Sequence, residues 1–287
     1  MRQHIVRIAL GLLIVLAFVG HAAELYSVGF ITQLDNIIYD ARLRFTMPGK
    51  VDERIVILDI DEKSLAVPEL GRWPWSRDDI SALIDKLYEK YGIGIVGFDV
   101  VFAEPDHSSG ISVLDDLAKK ELRDVAQFRA ALESLRPKLD NDAMFARTIK
   151  GRPIVLGYYF SSAEDALESG ALPQPVLPAG TFSGKNIRFT TWRGFGANLP
   201  ELQASAAGAG HFNPLVDFDG VSRRVPMLAE YKGKYYESLS LAMVRLQIAL
   251  QDAQEKKSAV VTLPPVQPGY PPDRFMTKGY AGLEWLE

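Results

Sequence analysis

The hydrophobic pattern begins with a long apolar segment close to the N-terminus. Residues 8–20 (IALGLLIVLAFVG) carry no charge, and together with Ile5 and Val6 they approach the length that crosses a bilayer. Two interpretations are open: a signal peptide cleaved near the small residues that follow, or an uncleaved anchor. Both predict that the rest of the chain is exported.

Apolar residues then recur at helical spacing, which favours the uncleaved anchor because the helix could continue outward. They are Leu25, Val28, Ile31, Leu34, Ile37 and Ile38. The same stripe predicts a seam for a homodimer, or else a face that packs against the sheet of its own domain.

Charge around the apolar segment predicts its orientation. Arg2 and Arg7 precede it, whereas Glu24, Asp35 and Asp40 follow it. Because basic residues stay on the cytoplasmic side, we expect an inner (plasma) membrane protein whose bulk is extracytoplasmic, or periplasmic.

Beyond residue 50 the pattern alternates between strand and helix. Ile55–Ile60 is a continuous apolar run, typical of a central strand buried on both faces. The pattern predicts an amphipathic helix over residues 78–91, begun by a Ser76 cap, and a second strand over residues 95–102. This order predicts a right-handed parallel crossover. The fold class is therefore α/β: a mixed, largely parallel sheet flanked by helices and preceded by an N-terminal transmembrane helix.

The remaining pattern extends this sheet. Helices are predicted over 113–135 and 140–149, separated by Arg136-Pro137, and a third strand over 153–160. Further predictions are an irregular surface insertion (161–206) with a hairpin near 187–191, a strand (209–213), a hairpin (224–230 with 233–236), a helix (238–252) and a strand (259–263).

These elements divide the chain into three parts. They are a cytoplasmic tip and transmembrane anchor (1–23), a membrane-proximal helix and linker (24–50) and an extracytoplasmic domain (51–287). Because no closing element follows residue 280, we expect the domain to be truncated at its C-terminus.

Composition narrows the possible functions. The chain has 287 residues, 47% of them hydrophobic, enough for one large domain or two small ones. A formal net charge of −4 gives no basic footprint for nucleic acid. The absence of cysteine excludes disulfides, thiolate metal sites and a cysteine nucleophile. The four histidines lack ligand spacing, and no phosphate loop, serine elbow or kinase signature is present, so we predict no catalytic residue and no cofactor.

Three aspartates follow the predicted strands. Asp59, Asp61 and Asp99 lie at carboxyl ends, where ligands bind in open α/β sheets. One interpretation is an exported Mg²⁺-dependent phosphohydrolase in which Glu104 and Asp106 add metal ligands. However, the haloacid-dehalogenase-like motif continues with Thr where this chain has Lys63.

A structural interpretation of the same aspartates is favoured. Asp59 and Asp61 would cap the next helix and pair with nearby arginines, which are Arg54, Arg72 and Arg77. The Trp73-Pro74-Trp75 sequence that follows is open to two readings as well. The proline makes the loop rigid, and the two indoles form either an aromatic platform for a ligand or a lid over the core.

Five blocks in a fixed order resemble a known family. They are DNIIYDARLRF (35–45), RIVILDIDEKSL (54–65), GRWPWSR (71–77), GIVGFDVVFAEPD (94–106) and GHFNPLVDFDGVSRRVPML (210–228). Together they resemble the second subtype of the CHASE-type extracytoplasmic sensory domain, over residues 25–287 without the 161–206 insertion. The resemblance implies a bacterial receptor whose chain continues through the membrane into an adenylate or guanylate cyclase, a histidine kinase, a Ser/Thr kinase or a diguanylate cyclase.

As a sensor, the chain itself would not be an enzyme, and several side chains become candidates for one ligand pocket. They are Asp59, Asp61, Arg72, Trp73, Trp75, Asp99, Glu104 and Asp106. The alternative is that these residues only specify the fold. The expected signal is a small solute, a cation or an extracytoplasmic protein.

Two other groups of residues have separate predicted roles. Arg42 and Arg44, between the membrane-proximal helix and the first strand, would couple the sensor to the span through ion pairs. The segment from Asp217 to Arg224 predicts a tight turn with flanking ion pairs, in which Gly220 supplies a positive φ.

Overall fold

A computed structural model describes residues 2–23, 25–26, 28–47, 49, 52–184, 189–190, 192–258 and 260–263. The chain divides into two compact units, Met1–Ile60 and Asp61–Glu287.

The first unit contains two helices, α1 (Arg2–Ala22) and α2 (Gly29–Thr46). Residues His4–Ala22 are long and apolar enough to cross a membrane. The helices are not continuous, so the expected outward extension of α1 is wrong. Two residues that lie between the helices bond to α1: the Tyr26 hydroxyl donates to the Ala17 carbonyl, and the Val28 amide donates to His21 Nδ1 at 3.2 Å.

The segment Ile55–Ile60 was predicted as a central strand, and this prediction is wrong. These residues form no strand, and residues 55–58 are 62–87% exposed. An apolar run favours extended backbone without specifying a partner strand. The crossover predicted from it is therefore also absent from the described residues.

The second unit is built on a mixed sheet. Its strands are β1 (Val96–Phe98), β2 (Ile154–Ser161), β3 (Glu168–Ser169), β4 (Gly194–Gly196) and β5 (Gly208–His211). The central strand β2 pairs in parallel with β1 and β5 and antiparallel with β4, which pairs in parallel with β3. The predicted α/β class is confirmed, as are the strands predicted at 153–160 and 209–213.

Helices and two hairpins complete this unit. The helices are α3 (Glu62–Leu65), α4 (Arg77–Glu89), α5 (Ile111–Lys119), α6 (Ala126–Leu139), α7 (Asn141–Ile149), α8 (Pro200–Ser205) and α9 (Leu239–Glu255). The hairpins are β6 (Leu215–Val216) with β7 (Ser222–Arg224), and β8 (Leu228–Tyr231) with β9 (Lys234–Glu237).

Strand β1 is shorter than predicted because the chain leaves the sheet early. The amide of Phe102 donates to Asn198 Oδ1 at 2.8 Å, and Asn198 Nδ2 donates to the Gly157 carbonyl at 2.9 Å. A buried asparagine side chain thus replaces a strand partner. The aromatic rings of Phe98, Phe102 and Phe145 pack edge to face beside it, with centroids 5.1–6.0 Å apart.

The predicted 161–206 insertion is not a simple surface loop. It supplies β3, β4 and α8, and it buries Leu177 and Phe182 against Leu228 and Tyr235. Its small residues led to the loop prediction, but at least one of them is needed for close packing. A Cβ at Gly194 would lie 2.4 Å from the Leu167 carbonyl oxygen. The hairpin predicted near 187–191 falls largely outside the described residues.

Several helix and strand boundaries also differ from prediction. The helix predicted over 113–135 is interrupted at 120–125, and Pro137 lies inside α6 instead of ending it. Residues 260–263 form no strand, and residue 259 lies outside the described part of the chain.

The turn between β6 and β7 matches its prediction. Arg223 lies 2.8 Å from both Asp217 and Asp219, Arg224 lies 3.0 Å from Asp217, and Gly220 has a φ of 80°. These ion pairs cross the hairpin at its tip.

Candidate functional site

A cavity of about 250 Å³ lies beside the N-terminus of α4. Residues 74–77 form one wall, and residues 104–108, in the loop that follows β1, form the other. It therefore lies near the carboxyl end of a parallel strand, where ligand crevices of α/β sheets commonly form.

The aromatic wall is Trp75, which is buried. Its indole Nε1 donates to the Gly71 carbonyl at 3.1 Å, and the ring of Trp73 packs against it with centroids 5.8 Å apart. Trp73 is 36% exposed and lies further out. Trp75 is thus held in place by its own loop, and Trp73 covers it.

Asp106 connects three separate segments. Its Oδ2 accepts the Arg77 amide at 2.6 Å and Asn141 Nδ2 at 3.1 Å, while Oδ1 accepts the Ser108 amide at 2.8 Å. Burial raises the pKa of Asp106, but these hydrogen bonds outweigh it, so the net shift is downward. Asp106 therefore stays ionised and joins the start of α4 to the start of α7.

The base of the site is a buried ion pair. Arg77 Nε lies 3.5 Å from Asp142 Oδ1, and both side chains are about nine-tenths buried. The Arg77 Nη2 donates to the Glu104 carbonyl at 3.3 Å, and the guanidinium carbon lies 4.5 Å above the Phe102 ring. Burial lowers the pKa of Arg77 and raises that of Asp142, and their mutual attraction opposes both shifts.

Charge at this site is predominantly negative. Asp142 Oδ2 accepts the Asp106 amide at 2.8 Å, which brings the two carboxyl groups together, and the exposed Glu104 lies on the same wall. Arg77 is the cation that faces these groups from α4. The arrangement suits a small solute with positive charge and an apolar surface that lies on Trp75.

Some of the predicted site residues meet here. Trp75, Glu104 and Asp106 line the cavity, and Trp73 packs against Trp75. Arg72 is an exposed residue of the same loop.

The predicted aspartates after the strands do not join this group. Asp99 is exposed just beyond β1, and Asp59 is exposed in the first unit. Asp61 caps α3, where its Oδ1 accepts the Ser64 amide at 2.9 Å and the Ser64 hydroxyl at 2.8 Å. The capping interpretation is thus confirmed for Asp61.

Two of the arginines proposed as partners of Asp59 and Asp61 form ion pairs with other residues. Arg54 binds Asp52 at 2.6 Å, and Arg77 binds Asp142. Among the residues that the structure describes, no cluster of three or more His, Asp or Glu could hold a metal ion.

Sequence reasoning missed the exposed Ser108 and the buried Asn141 and Asp142 as partners of Asp106. Asn141 Nδ2 also donates to Asp78 Oδ1 and to the Ser108 hydroxyl, each at 3.1 Å. The available signal was the run Asp140-Asn141-Asp142, which was read only as the start of a helix. Asp140 does cap α7, but the next two side chains point into the site network.

One of three comparisons with known proteins gives a match. Neither a curated protein nor a solved structure gives a match. The family model of the CHASE2 domain matches residues 9–282. This match begins within α1 and includes the cavity and the sheet, and the chain therefore belongs to the CHASE2 family of extracytoplasmic sensory domains.

Proposed function

We propose that the chain is the signal-sensing domain of a receptor held in the inner membrane by α1, with its bulk in the periplasm. The observation that carries this proposal is the family match over residues 9–282. The apolar helix His4–Ala22 supports the anchor. The proposed cytoplasmic effector is an adenylate or guanylate cyclase, with a histidine kinase, Ser/Thr kinase or diguanylate cyclase as alternatives.

The gene itself tests the effector. A receptor requires a coding sequence that continues beyond Glu287 through the membrane into a catalytic domain. A cyclase domain there would support the main proposal, and a kinase or diguanylate cyclase domain would support an alternative. A stop codon directly after Glu287 would contradict the receptor.

The cavity beside Trp75 is the proposed signal site. Its aromatic wall, its acidic rim and its volume of about 250 Å³ fit a small organic cation. Trp75, Glu104 and Asp106 would contact the ligand, with Arg72 and Trp73 at the entrance. Asp59, Asp61 and Asp99 are not part of this cavity wall.

We expect a small organic cation to stabilise the folded chain and Glu104→Gln to remove this effect. A ligand at 100 times its dissociation constant stabilises the native state by about 2.7 kcal/mol. The measurement is thermal unfolding of the full chain in detergent with ethanolamine, choline, putrescine, Mg²⁺ and Ca²⁺ as probes. Glu104 is the best position for the test because its side chain is exposed, and its bond to Arg77 uses its backbone carbonyl.

The matched control is Glu121→Gln, which removes the same charge from an exposed position outside the cavity. It should leave the ligand-induced rise in melting temperature unchanged. An equal rise in Glu104→Gln, or no rise with any probe, would contradict the cavity and favour a protein signal or the membrane.

We also propose that α2 mediates a homodimer. Leu34 and Ile38 are 41% and 55% exposed, and lie one helical turn apart. Carboxylates at both positions should break an apolar seam through desolvation and repulsion. The double variant Leu34→Glu/Ile38→Glu is expected to halve the protein mass measured by light scattering in detergent.

Tyr39→Glu is the control for this seam. It places a carboxylate at an exposed position that is neither three nor four residues from Leu34, Ile37 or Ile38, so it lies on another face of α2, and the dimer should survive. An unchanged mass for the double variant would refute the seam. Arg42 and Arg44 are exposed on α2, and their coupling of the sensor to the span stays a proposal.

A further inference from the structure

The core of the sheet holds a histidine without polar partners. His211 ends β5 and is 0% exposed. Neither ring nitrogen has a hydrogen-bond partner among the described residues. A buried imidazole without any partner is unusual, because buried polar groups are nearly always hydrogen-bonded.

Aromatic groups surround this ring. Tyr158, the direct neighbour of His211 on β2, lies edge to face with a centroid separation of 6.5 Å. The Phe160 ring lies 6.0 Å away. The Tyr158 hydroxyl is buried and also lacks a hydrogen-bond partner within the described chain. These surroundings solvate a neutral imidazole poorly and an imidazolium far worse.

The charged groups on neighbouring elements do not compensate. Glu237 and Tyr236 of β9 act electrostatically on Tyr158, the neighbour of His211 on β2, and Arg245 of α9 pairs with Glu237. Burial raises the pKa of both tyrosines, which therefore stay neutral in acid. Glu237 Oε1 accepts from Arg245 Nη1 at 2.5 Å, so the carboxylate is already paired with a cation.

His211 also lies where β5 meets the start of α9. It forms a parallel bridge with Ser238, whose amide donates to the Met227 carbonyl at 2.8 Å. The Ser238 hydroxyl caps α9 by accepting the Leu241 amide at 3.2 Å. The buried ring therefore belongs to a residue whose backbone contacts the capped start of α9.

We propose that His211 is an acid-sensitive latch, in which a proton on its ring opens the junction between β5 and the capped start of α9. The extracytoplasmic space would deliver the acid, and only this physiological part rests on the proposed function. The latch itself is a property of the folded domain.

The direction of the effect follows from proton linkage. Burial lowers the pKa of His211 to about 4 from the ordinary 6.5. The unfolded chain therefore binds the proton more readily, and stability that is present above pH 6.5 is lost as the pH falls towards 4. With a pKa of about 4 in the folded chain and 6.5 in the unfolded chain, the unfolding equilibrium constant is about 30-fold larger at pH 5.0 than at pH 7.5.

Glu237 acts in the opposite direction. Burial raises its pKa, against the attraction of Arg245, so the folded state binds this proton more readily than the unfolded state. Proton uptake by Glu237 therefore stabilises the folded state as the pH falls, and it masks part of the destabilisation that His211 causes. Comparison of variants that differ only at His211 removes this contribution.

The test is urea unfolding of the full chain in detergent at pH 7.5 and 5.0, with His211→Gln compared to wild type. We expect the acid-induced rise in the unfolding constant to be about 30-fold smaller in the variant. Equal acid sensitivity of His211→Gln and wild type would overturn the latch.

A second measurement covers a variant that fails to fold. In wild-type protein labelled at histidine, nuclear magnetic resonance should find one imidazole that stays neutral at pH 5.0. In the same wild-type protein, amides of the first turn of α9 should be less protected from exchange at pH 5.0 than at pH 7.5, relative to amides of the first turn of α4. Titration of all four histidines near pH 6.5 would refute a sealed His211, and unchanged exchange would refute opening of the junction.

Discussion

Replacing Arg77 by Met is expected to lower the free energy of unfolding by about 3 kcal/mol, as for other buried ion pairs that lose one partner. The guanidinium faces Asp142 Oδ1 at 3.5 Å and lies above the Phe102 ring. Its removal leaves the carboxyl groups of Asp106 and Asp142 together without that cation. Urea unfolding of the full chain in detergent at pH 8 measures the loss.

A double-mutant cycle separates the ion pair from packing. Asp142→Asn keeps an oxygen that can accept the Asp106 amide but removes the charge. The variant Arg77→Met/Asp142→Asn should therefore be more stable than the sum of the single losses predicts, by about 1 kcal/mol or more. Additive losses would contradict the coupling.

Two further comparisons sharpen this prediction. Arg136→Met removes a more exposed arginine bound to Asp115 and should lower the free energy of unfolding much less than Arg77→Met does. For Arg77→Met the loss should shrink between pH 8 and pH 5. Burial already raises the pKa of Asp142, and without Arg77 a proton neutralises that carboxylate more readily. A loss that is equal at both pH values would argue against an uncompensated carboxylate.

Gly210→Ala is expected to destabilise the second unit by about 3 kcal/mol, at the upper end for overpacked cores. A Cβ at this position would lie 2.4 Å from both the amide nitrogen and the Cα of Leu239. Those atoms belong to the first residue of α9, so no side-chain rotation relieves the clash. Strand β5 and helix α9 must separate instead.

Gly208→Ala is the matched control for this effect. Gly208 lies on the same strand, and a Cβ there meets no atom within 4 Å. We expect no loss, or a small gain, because alanine restricts the unfolded chain. Thermal unfolding of both variants in detergent provides the measurement, and equal melting temperatures would show that β5 tolerates a side chain at its contact with α9.

The periodic parts of the fold could be predicted from the sequence alone. Residues of α4 and α9 repeat at helical spacing, and the apolar runs of β2 and β5 occur where strands form. The apolar segment was sufficient to predict the N-terminal helix α1. The five sequence blocks were sufficient to predict the CHASE-type family. Each of these signals is local, because it depends on the period of one element or on a contiguous motif.

Of the candidate site, the sequence predicted Trp75, Glu104 and Asp106 but not what surrounds them. Asn141 and Asp142 reach the cavity network from α7, more than thirty residues after Asp106 along the chain. No local pattern encodes such a meeting, since it depends on how α7 packs against α4.

Tertiary structure alone also decided which apolar and polar groups are buried. The run at 55–58 looked like a core strand and is exposed, whereas His211, a polar residue in a short glycine-rich strand, is fully buried. Local sequence sets the preferred backbone conformation, but burial depends on which surfaces distant segments cover. For this reason the sequence determined the class, the N-terminal apolar helix and the family, while the cavity, the Arg77–Asp142 pair and the buried His211 followed only from packing.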